Sequence, residues 1–355
     1  MLEKKLVQMA VQGLTAEDNP TFITSNCLNA KQRKFPCTLC VDVCPTGVLI
    51  KPDGEDADWD KCIGCNLCVL MCPSAAIAPS YEDFKRVLRL LTTKRETRMI
   101  ACERSDSESD YVPWCLGTVP WELFASLALS GKVILERAAC AHCDRAPHLA
   151  HFETSLVQAR LFLGEDYFNP RVTLLDVGDS LPPVDLTRRE ALRSLSLRAR
   201  FGVGTLLPDT QKLENDPLFL RRLLVRQLRQ NLEKSETPER LTWASPIVDG
   251  SICWACGVCE HVCPHQALKV YLDEEDDQRY LLHTPERCTQ CRLCQSICPD
   301  KAITGFGYGE LPARVKYFLT PVQTTHCTRC SGPMRPEKAG QLCSRCQAIT
   351  RKKSW

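Results

Sequence analysis

Two consecutive cysteine runs between Cys253 and Pro299 constrain this chain more than any other feature. Each run has the spacing C-x2-C-x2-C-x3-C-P. Three thiolates on a tight loop can wrap three corners of an iron-sulfur cubane, and the proline after the fourth cysteine ends that loop and turns the chain away. A pair of zinc knuckles is the alternative, but zinc sites use two Cys-x2-Cys hooks and have no need of a proline closing each half. The runs therefore predict iron-sulfur ligation.

The tandem arrangement resembles that of the bacterial-type two-cluster ferredoxins, in which three cysteines of each run bind one [4Fe-4S] cluster and the fourth binds the other. This resemblance implies that the two runs fold as one module that holds two clusters. It also implies two ligand sets, which are Cys253, Cys256, Cys259 and Cys298 for one cluster and Cys288, Cys291, Cys294 and Cys263 for its neighbour.

A second pair of runs lies near the N-terminus, and one of the two is incomplete. The complete run consists of Cys62, Cys65, Cys68 and Cys72. In the run before it, Lys34 stands where the leading cysteine belongs. Cys27 lies further upstream, and the intervening loop can return its thiolate to the vacant corner at modest entropic cost.

The same resemblance assigns the N-terminal ligands. One set is Cys27, Cys37, Cys40 and Cys72, and the other is Cys62, Cys65, Cys68 and Cys44. The alternative for the first set is a three-ligand site that holds [3Fe-4S], with Cys27 a buried thiol that binds no iron.

From Arg98 to Asp176 the hydrophobic pattern predicts a small α/β domain. It contains an apolar strand that runs into the first of four cysteines, helices near 120–129 and 154–163, and strands near 132–135 and 171–176. The four cysteines, in loops that follow strands, are Cys102, Cys115, Cys140 and Cys143. They resemble the ligands of thioredoxin-like [2Fe-2S] ferredoxins and of the small delta subunit associated with heterodisulfide reductases and hydrogenases. That resemblance implies a [2Fe-2S] cluster, and zinc is the alternative.

Capping signals predict three helices. The first begins at Ser80-Tyr-Glu-Asp83 and has an apolar face of Phe84, Val87, Leu88 and Leu91. The second begins at Thr187-Arg-Arg-Glu190. The third, Leu218–Leu232, follows Asp216-Pro217. The third helix has an apolar stripe of Leu220, Leu224 and Leu228, and around it lie Arg221, Arg222, Arg226 and Arg229. It is interpreted as part of a linker with a solvated basic face, or as a docking surface for an acidic electron-transfer partner.

Two Cys-x2-Cys hooks end the sequence, Cys327 with Cys330 and Cys343 with Cys346. Their spacing resembles a zinc ribbon, which implies a structural zinc with four thiolate ligands. A rubredoxin-like single iron is the alternative. With these four, every one of the 24 cysteines has a metal-binding assignment, and none remains as a thiol catalyst.

Composition narrows the partners and the compartment. With 45 basic and 43 acidic residues, bulk charge favours neither nucleic acid nor an acidic membrane surface. No apolar window is long enough to span a membrane, although a membrane-associated partner complex is compatible with the sequence. The N-terminus shows no secretory signal pattern, and the C-x2-C spacings favour metals over disulfides, so we expect a cytoplasmic protein.

The sequence thus predicts an α+β protein in which two ferredoxin-like dicluster modules flank a small α/β domain, with a zinc-ribbon-like segment at the C-terminus. The predicted domains are 1–79, 80–180, a helical linker at 181–245, 246–320 and 321–355. We expect an electron-transfer protein without an active site of its own, relaying electrons among subunits of a larger oxidoreductase. The resemblance to ferredoxins implies partners such as hydrogenase, formate or CO dehydrogenase, or heterodisulfide-reductase-like modules. The alternative is a redox- or metal-sensing regulator whose ribbon contacts a partner or nucleic acid.

Overall fold

The computed structural model describes most of the chain, in ranges 19–31, 36–51, 57–179, 216–232, 237–275, 278–343, 346–347 and 349–350. The chain forms two compact units. Apart from residues 31–33, the first unit ends at Pro238 and the second begins at Glu239. The helix predicted from Thr187 falls outside the described residues. Within the described ranges, no helix is both long and apolar enough to cross a bilayer.

The first unit opens with a small cysteine-rich module closed by a short strand pair. β1 (Thr21–Phe22) pairs antiparallel with β2 (Ile77–Ala78), so the two ends of the module meet. Its buried core consists of Cys40, Val48, Leu49 and Ile77. Three short helices lie between the strands, α1 (Leu28–Lys31), α2 (Leu39–Asp42) and α3 (Leu67–Met71).

Helix α4 (Tyr81–Thr92) follows this module and begins at the predicted capping box. The Asp83 backbone N–H donates to Ser80 Oγ over 3.2 Å, and Ser80 Oγ donates to the Asp83 carboxylate over 2.9 Å. These bonds satisfy a helix N-terminus that would otherwise be left open. The buried face differs in one position from the prediction, because Leu90 is buried while Leu91 is only half-buried.

The predicted α/β pattern after Arg98 is confirmed. β3 (Thr97–Ala101), β4 (Lys132–Glu136) and β5 (Val172–Leu175) form a parallel sheet in that order. The connecting helices are α5 (Trp121–Ser130), α6 (Leu149–Leu163) and α7 (Glu165–Phe168). Parallel order brings the carboxyl ends of the strands to one edge of the sheet, and the loops with the four cysteines leave from that edge.

Helix α8 (Phe219–Leu232) packs on this domain. Its Arg221 was predicted on a solvated basic face, and that prediction was wrong because only 7% of the residue is exposed. The guanidinium donates to Glu122 on α5 over 2.6 Å. Phe219 also packs edge-on against Phe84, with ring centroids 5.2 Å apart. The apolar stripe and its buried ion pair therefore attach α8 to the first unit.

The second unit repeats the module with a larger strand frame. β6 (Arg240–Val248) and β9 (Ile303–Pro312) pair antiparallel and enclose the segment that carries both cysteine runs. Between the runs, β7 (Leu268–Asp273) and β8 (Gln278–His283) form a hairpin, and β10 (Phe318–Val322) adds a third strand beside β8. The core includes Leu268, Leu281, Ile303 and Val322. Short helices α9 (Val258–Val262) and α10 (Leu293–Ile297) lie within the runs.

The C-terminal segment of the second unit begins with a short hairpin of β11 (Thr325–His326) and β12 (Pro333–Met334). Cys327, Met334 and Cys346 form its small buried core, with Leu342 and Cys343 packed against it. So small a core gives little stability without a crosslink or a metal.

Candidate iron-sulfur and metal centres

All three complete cysteine runs fold into the same local structure. In each run the third cysteine lies in a one-turn helix, α3, α9 or α10, and the fourth cysteine follows the last residue of that helix. The residues on both sides of the second cysteine have left-handed backbone conformations. These pairs are Gly64 and Asn66, Ala255 and Gly257, and Gln290 and Arg292.

Left-handed backbone is unfavourable for residues other than glycine, by roughly 1–2 kcal/mol each. Its recurrence at matching positions of three runs means that the loop geometry, rather than local propensity, sets the conformation. Every complete run thus places its second cysteine between two left-handed residues.

A second shared turn follows the fourth cysteine of every run. The residue three positions after it has a positive φ in all four runs, at Gly47, Ala75, Gln266 and Lys301. In three runs the next backbone N–H then donates to the thiol of the fourth cysteine: Val48 to Cys44 over 3.3 Å, Ala76 to Cys72 over 3.1 Å and Ala267 to Cys263 over 3.2 Å. A donor aimed at sulfur stabilises a thiolate and tunes the potential of a cluster bound there.

Cys27 has the local structure of a leading cysteine. It ends a short 3-10 turn, Thr24–Asn26, with φ −65° and ψ 131°. Cys62 ends an equivalent turn with φ −70° and ψ 127°, and Cys288 does so with φ −86° and ψ 121°. Cys27 is also buried, with 6% exposure. Its backbone therefore matches that of the first cysteine in two complete runs.

Asn29 holds the two ends of the insertion together. Its side-chain Nδ2 donates to the Cys37 carbonyl over 2.6 Å, and the Cys37 N–H donates to its Oδ1 over 3.2 Å. The side chain thus pairs with the backbone of the second cysteine in the incomplete run, next to Cys27. Sequence reasoning missed Asn29, because its role depends on a contact across the insertion.

The thiols of the first N-terminal set lie close enough to affect one another. Burial raises the pKa of the Cys40 thiol to about 12, and the thiols of Cys72, Cys37 and Cys27 contribute further. A cluster of thiols in a buried site resists ionisation until a metal binds and displaces the protons. The structure thus brings together the four cysteines that the sequence grouped in this set.

The second N-terminal set is brought together in the same way. Burial raises the pKa of the Cys68 thiol, and the nearby thiols of Cys65, Cys62 and Cys44 raise it further. Cys44 comes from the incomplete run, so thiols of both runs lie near Cys68, and Cys40 of the first set contributes as well. The crossing of the fourth ligand between the runs stays a prediction.

The second unit shows the same two groupings. Burial, followed by the thiols of Cys253, Cys256 and Cys298, raises the pKa of Cys259 to about 12. Burial, followed by the thiols of Cys288, Cys291, Cys259 and Cys263, raises the pKa of Cys294. A cavity in this unit is lined by Cys263, Cys288, Cys291 and Cys294, which together are the predicted second set.

The four cysteines of the α/β domain meet at the carboxyl edge of its sheet. Cys102 directly follows β3, and Cys140 and Cys143 lie in the loop after β4. Burial raises the pKa of Cys140 to about 11, with further contributions from Cys102, Cys115 and Cys143. Backbone N–H groups of Gly117 and Arg145 each donate over 3.4 Å, to Cys115 and Cys143 respectively.

Close packing fixes the Cys115 loop. A side chain at Gly117 would place its Cβ 2.2 Å from the His148 carbonyl oxygen, so only glycine fits there. Arg145 lies over the ring of Trp114, 3.9 Å from its centroid. Burial raises the pKa of the Cys115 thiol overall, and the positive charge of Arg145 opposes that rise. The site is thus a buried group of thiols with a guanidinium beside it.

The C-terminal cysteines are more tightly grouped than the others. Among the described residues, only one group of three or more His, Cys, Asp or Glu side chains has all its ligand atoms within 4.8 Å of one another. It consists of Cys327, Cys330, Cys343 and Cys346. The backbone N–H of Cys343 donates to the Cys327 thiol over 3.2 Å, and this and other backbone donors lower its pKa to about 6. Such a thiol is readily available as a thiolate ligand.

Comparison with protein-family models identifies two segments of the chain. Residues 252–302 match the model of a 4Fe-4S dicluster domain. Residues 56–78 match the model of a 4Fe-4S binding domain, which covers the complete N-terminal run. Comparison with curated proteins and with solved structures gave no match.

The chain therefore contains two 4Fe-4S ferredoxin-type domains within a mixed helix and strand fold, together with a C-terminal cysteine cluster. Domains of this class are typical of iron-sulfur electron transfer. All 24 cysteines lie in the part of the chain that the structure describes, and none of them forms a disulfide. The thiols are thus available as metal ligands.

Proposed function

We propose that this protein is an electron relay that holds four [4Fe-4S] clusters, one [2Fe-2S] cluster and one zinc ion. The observation that carries the proposal is the backbone turn that all three complete cysteine runs share, in segments that match 4Fe-4S family models. Each bound cluster would supply a one-electron redox centre. Four thiolates leave a cubane no open coordination position for substrate, so transfer fits these sites better than catalysis.

The assignment of [2Fe-2S] to the α/β domain is supported by spacing. A tetrahedral zinc ion with Zn–S bonds of about 2.3 Å needs thiolate sulfurs about 3.8 Å apart. No three of Cys102, Cys115, Cys140 and Cys143 lie within 4.8 Å of one another, whereas the C-terminal cysteines do. The wider set suits a two-iron cluster, and the compact set suits a single zinc ion.

The same features suggest which partners the protein has and where it works. A chain with two 4Fe-4S ferredoxin-type domains, whose cysteines are all assigned to metals, fits an electron-relaying subunit of a larger oxidoreductase. We propose redox-enzyme subunits as its partners, in the cytoplasm. Nearly balanced charge supports protein partners over nucleic acid.

Metal analysis tests this proposal most simply. Anaerobically purified protein should contain about sixteen irons in cubanes, roughly two more in the α/β domain and about one zinc. Dithionite should reduce the cubanes, and neighbouring reduced clusters should broaden the EPR signal through spin coupling. Zinc as the majority metal would contradict the relay function.

A variant tests the role of the middle site. Cys140→Ser should leave all four cubanes assembled and reducible by dithionite, yet slow electron transfer through the protein between a donor and an acceptor enzyme. A structural zinc at this site would instead give a lower melting temperature with no change in transfer rate by the folded protein.

A further inference from the structure

Asp300 connects the C-terminal ribbon, defined here as residues 325–350, to one of the predicted cluster sites. It lies two positions after Cys298. Its Oδ2 accepts a hydrogen bond from Trp254 Nε1 over 2.5 Å, and its Oδ1 forms an ion pair with Arg335. The Asp300 side chain is 15% exposed, so this carboxylate is partly shielded from water and its charge acts over a longer range than a surface charge would.

Trp254 and Asp300 each lie close in sequence to a cysteine of the same predicted ligand set. Trp254 directly follows Cys253, the first ligand, and Asp300 lies just beyond Cys298, the fourth. The hydrogen bond from Trp254 holds the Asp300 carboxylate beside the residue that follows Cys253. The negative charge of Asp300 therefore lies next to the place where this cluster would bind.

Arg335 comes from the ribbon. It directly follows β12, and its neighbour Met334 is buried against Cys327 and Cys346 in the ribbon core. The position of the guanidinium thus depends on the folded ribbon, and a ribbon of this kind folds around its metal.

We propose that the C-terminal ribbon raises the reduction potential of the cluster bound by Cys253, Cys256, Cys259 and Cys298, by placing Arg335 against Asp300. Adding an electron to a cluster makes the site more negative, which a nearby carboxylate opposes and a guanidinium favours. With Arg335 in place, the charge of Asp300 is offset. Loss of the ribbon metal would remove Arg335 and lower the potential. This inference rests on the proposed function, since it requires that the cluster is present.

Three variants separate this effect from simple damage to the ribbon. Arg335→Gln should lower the potential of one cluster, while Arg335→Lys should largely restore it. In an Asp300→Asn background, Arg335→Gln should have a much smaller effect, because the charge that it leaves uncompensated is gone. The matched control is Arg329→Gln, which removes the same charge from an exposed ribbon arginine whose partner is Thr350 Oγ1 at 3.2 Å.

The experiment is a potentiometric EPR titration of the full-length protein, purified anaerobically with its metals. We expect Arg335→Gln to shift the redox equilibrium of one cluster about tenfold toward the oxidised form, which is about 59 mV for one electron. The other clusters and the Arg329→Gln protein should titrate like the wild type. Equal shifts in the two arginine variants, or no shift in Arg335→Gln, would overturn the inference.

The result also distinguishes this inference from the function on which it rests. A wild-type protein without cubane signals would contradict the proposed function. Normal cubane signals with an unmoved potential would contradict only the role of the ribbon. Should Arg335→Gln fold poorly, Asp300→Asn alone provides the test, because it removes the carboxylate and should move the potential upward.

Discussion

The two ferredoxin-type modules share their turns but not the strands around them. β6 and β9 run for nine and ten residues in the second unit, whereas β1 and β2 have two residues each. Nevertheless, Cys27 lies five positions after the end of β1, as Cys253 lies five positions after the end of β6. The comparison shows that the ligand turns form independently of a long strand frame.

The modules also differ around their second cysteines. In the complete runs, left-handed residues flank that cysteine, but in the incomplete run Pro36 precedes Cys37 and Thr38 follows it with φ −122°. Proline cannot adopt a positive φ, so the usual turn cannot form there. The insertion and the Asn29 pairing with Cys37 replace it. The family-model match in the N-terminal module covers residues 56–78, which hold the complete run.

The largest difference that we expect between the units concerns stability. Glu122→Ala should lower the free energy of unfolding of the first unit by about 3–5 kcal/mol, because the change breaks a buried ion pair with Arg221. Glu310→Ala in the second unit removes an ion pair with Arg240 in which both side chains are more than half exposed. It should cost at most about 0.5 kcal/mol. Denaturant unfolding would measure both, and equal losses would show that the buried pair has no special role.

A pH effect on stability is expected from one buried histidine of the second unit. His283 is buried there, with its Nδ1 3.2 Å from Ser245 Oγ, and burial lowers its pKa from 6.5 to about 4. As the pH falls, His283 takes up a proton near pH 6.5 in the unfolded chain but only near pH 4 in the folded protein. The stability that the neutral ring gives is therefore present above pH 6.5 and is lost between pH 6.5 and about 4.

Between pH 6.5 and 5 this loss should amount to about 2 kcal/mol. Thermal melting of the protein with its metals at several pH values would measure it. The His283→Gln variant is the control, since it lacks the titrating group and should lose less stability over the same range. An identical pH profile for the variant would exclude His283 as the cause.

A smaller effect is expected at the insertion of the N-terminal module. Asn29→Ala removes two hydrogen bonds to Cys37 and should destabilise the module by about 1–2 kcal/mol. It should also give a larger fraction of three-iron cluster when the protein is exposed to air. Ser25→Ala, an exposed position in the same segment, is the matched control. Similar behaviour of both variants would mean that the insertion does not need Asn29.

The smallest expected effect tests the difference in backbone conformation directly. Arg292→Gly should stabilise the second unit by up to about 1 kcal/mol, because Arg292 has φ 60° and glycine relieves that strain. Thr38→Gly, at the corresponding place in the incomplete run, should destabilise by a similar amount, because Thr38 has an ordinary φ. Arg292→Gly should raise the melting temperature and Thr38→Gly should lower it. Changes in the same direction would argue against the correspondence between these two positions.

The sequence predicted those features that depend on local pattern. Periodicity and capping residues predicted the strands of the α/β domain, the capping box at Ser80 and the helix that ends at Leu232. The two ferredoxin-type domains followed from a resemblance whose spacing is specific, and family models match part of each. The assignment of each thiol to a particular metal stays a prediction.

Features that depend on contacts between distant segments were not predictable. Arg221 looked like a surface residue, because nothing in the sequence pairs it with Glu122, which lies far away along the chain. Asp300 and Arg335 each look like ordinary polar loop residues until the fold brings them together. The added strand β10 likewise pairs with β8 across the whole second run. In each case tertiary packing, rather than local propensity, determines the outcome.

The most direct test of the account is whether Cys27 is a cluster ligand equivalent to Cys253. We predict that oxidised wild-type protein shows no three-iron EPR signal, and that Cys27→Ala and Cys253→Ala each produce one such signal together with the loss of about one iron per chain. A three-iron signal already present in the wild type, or a Cys27→Ala protein with an unchanged spectrum and iron content, would contradict the assignment of four complete cubanes.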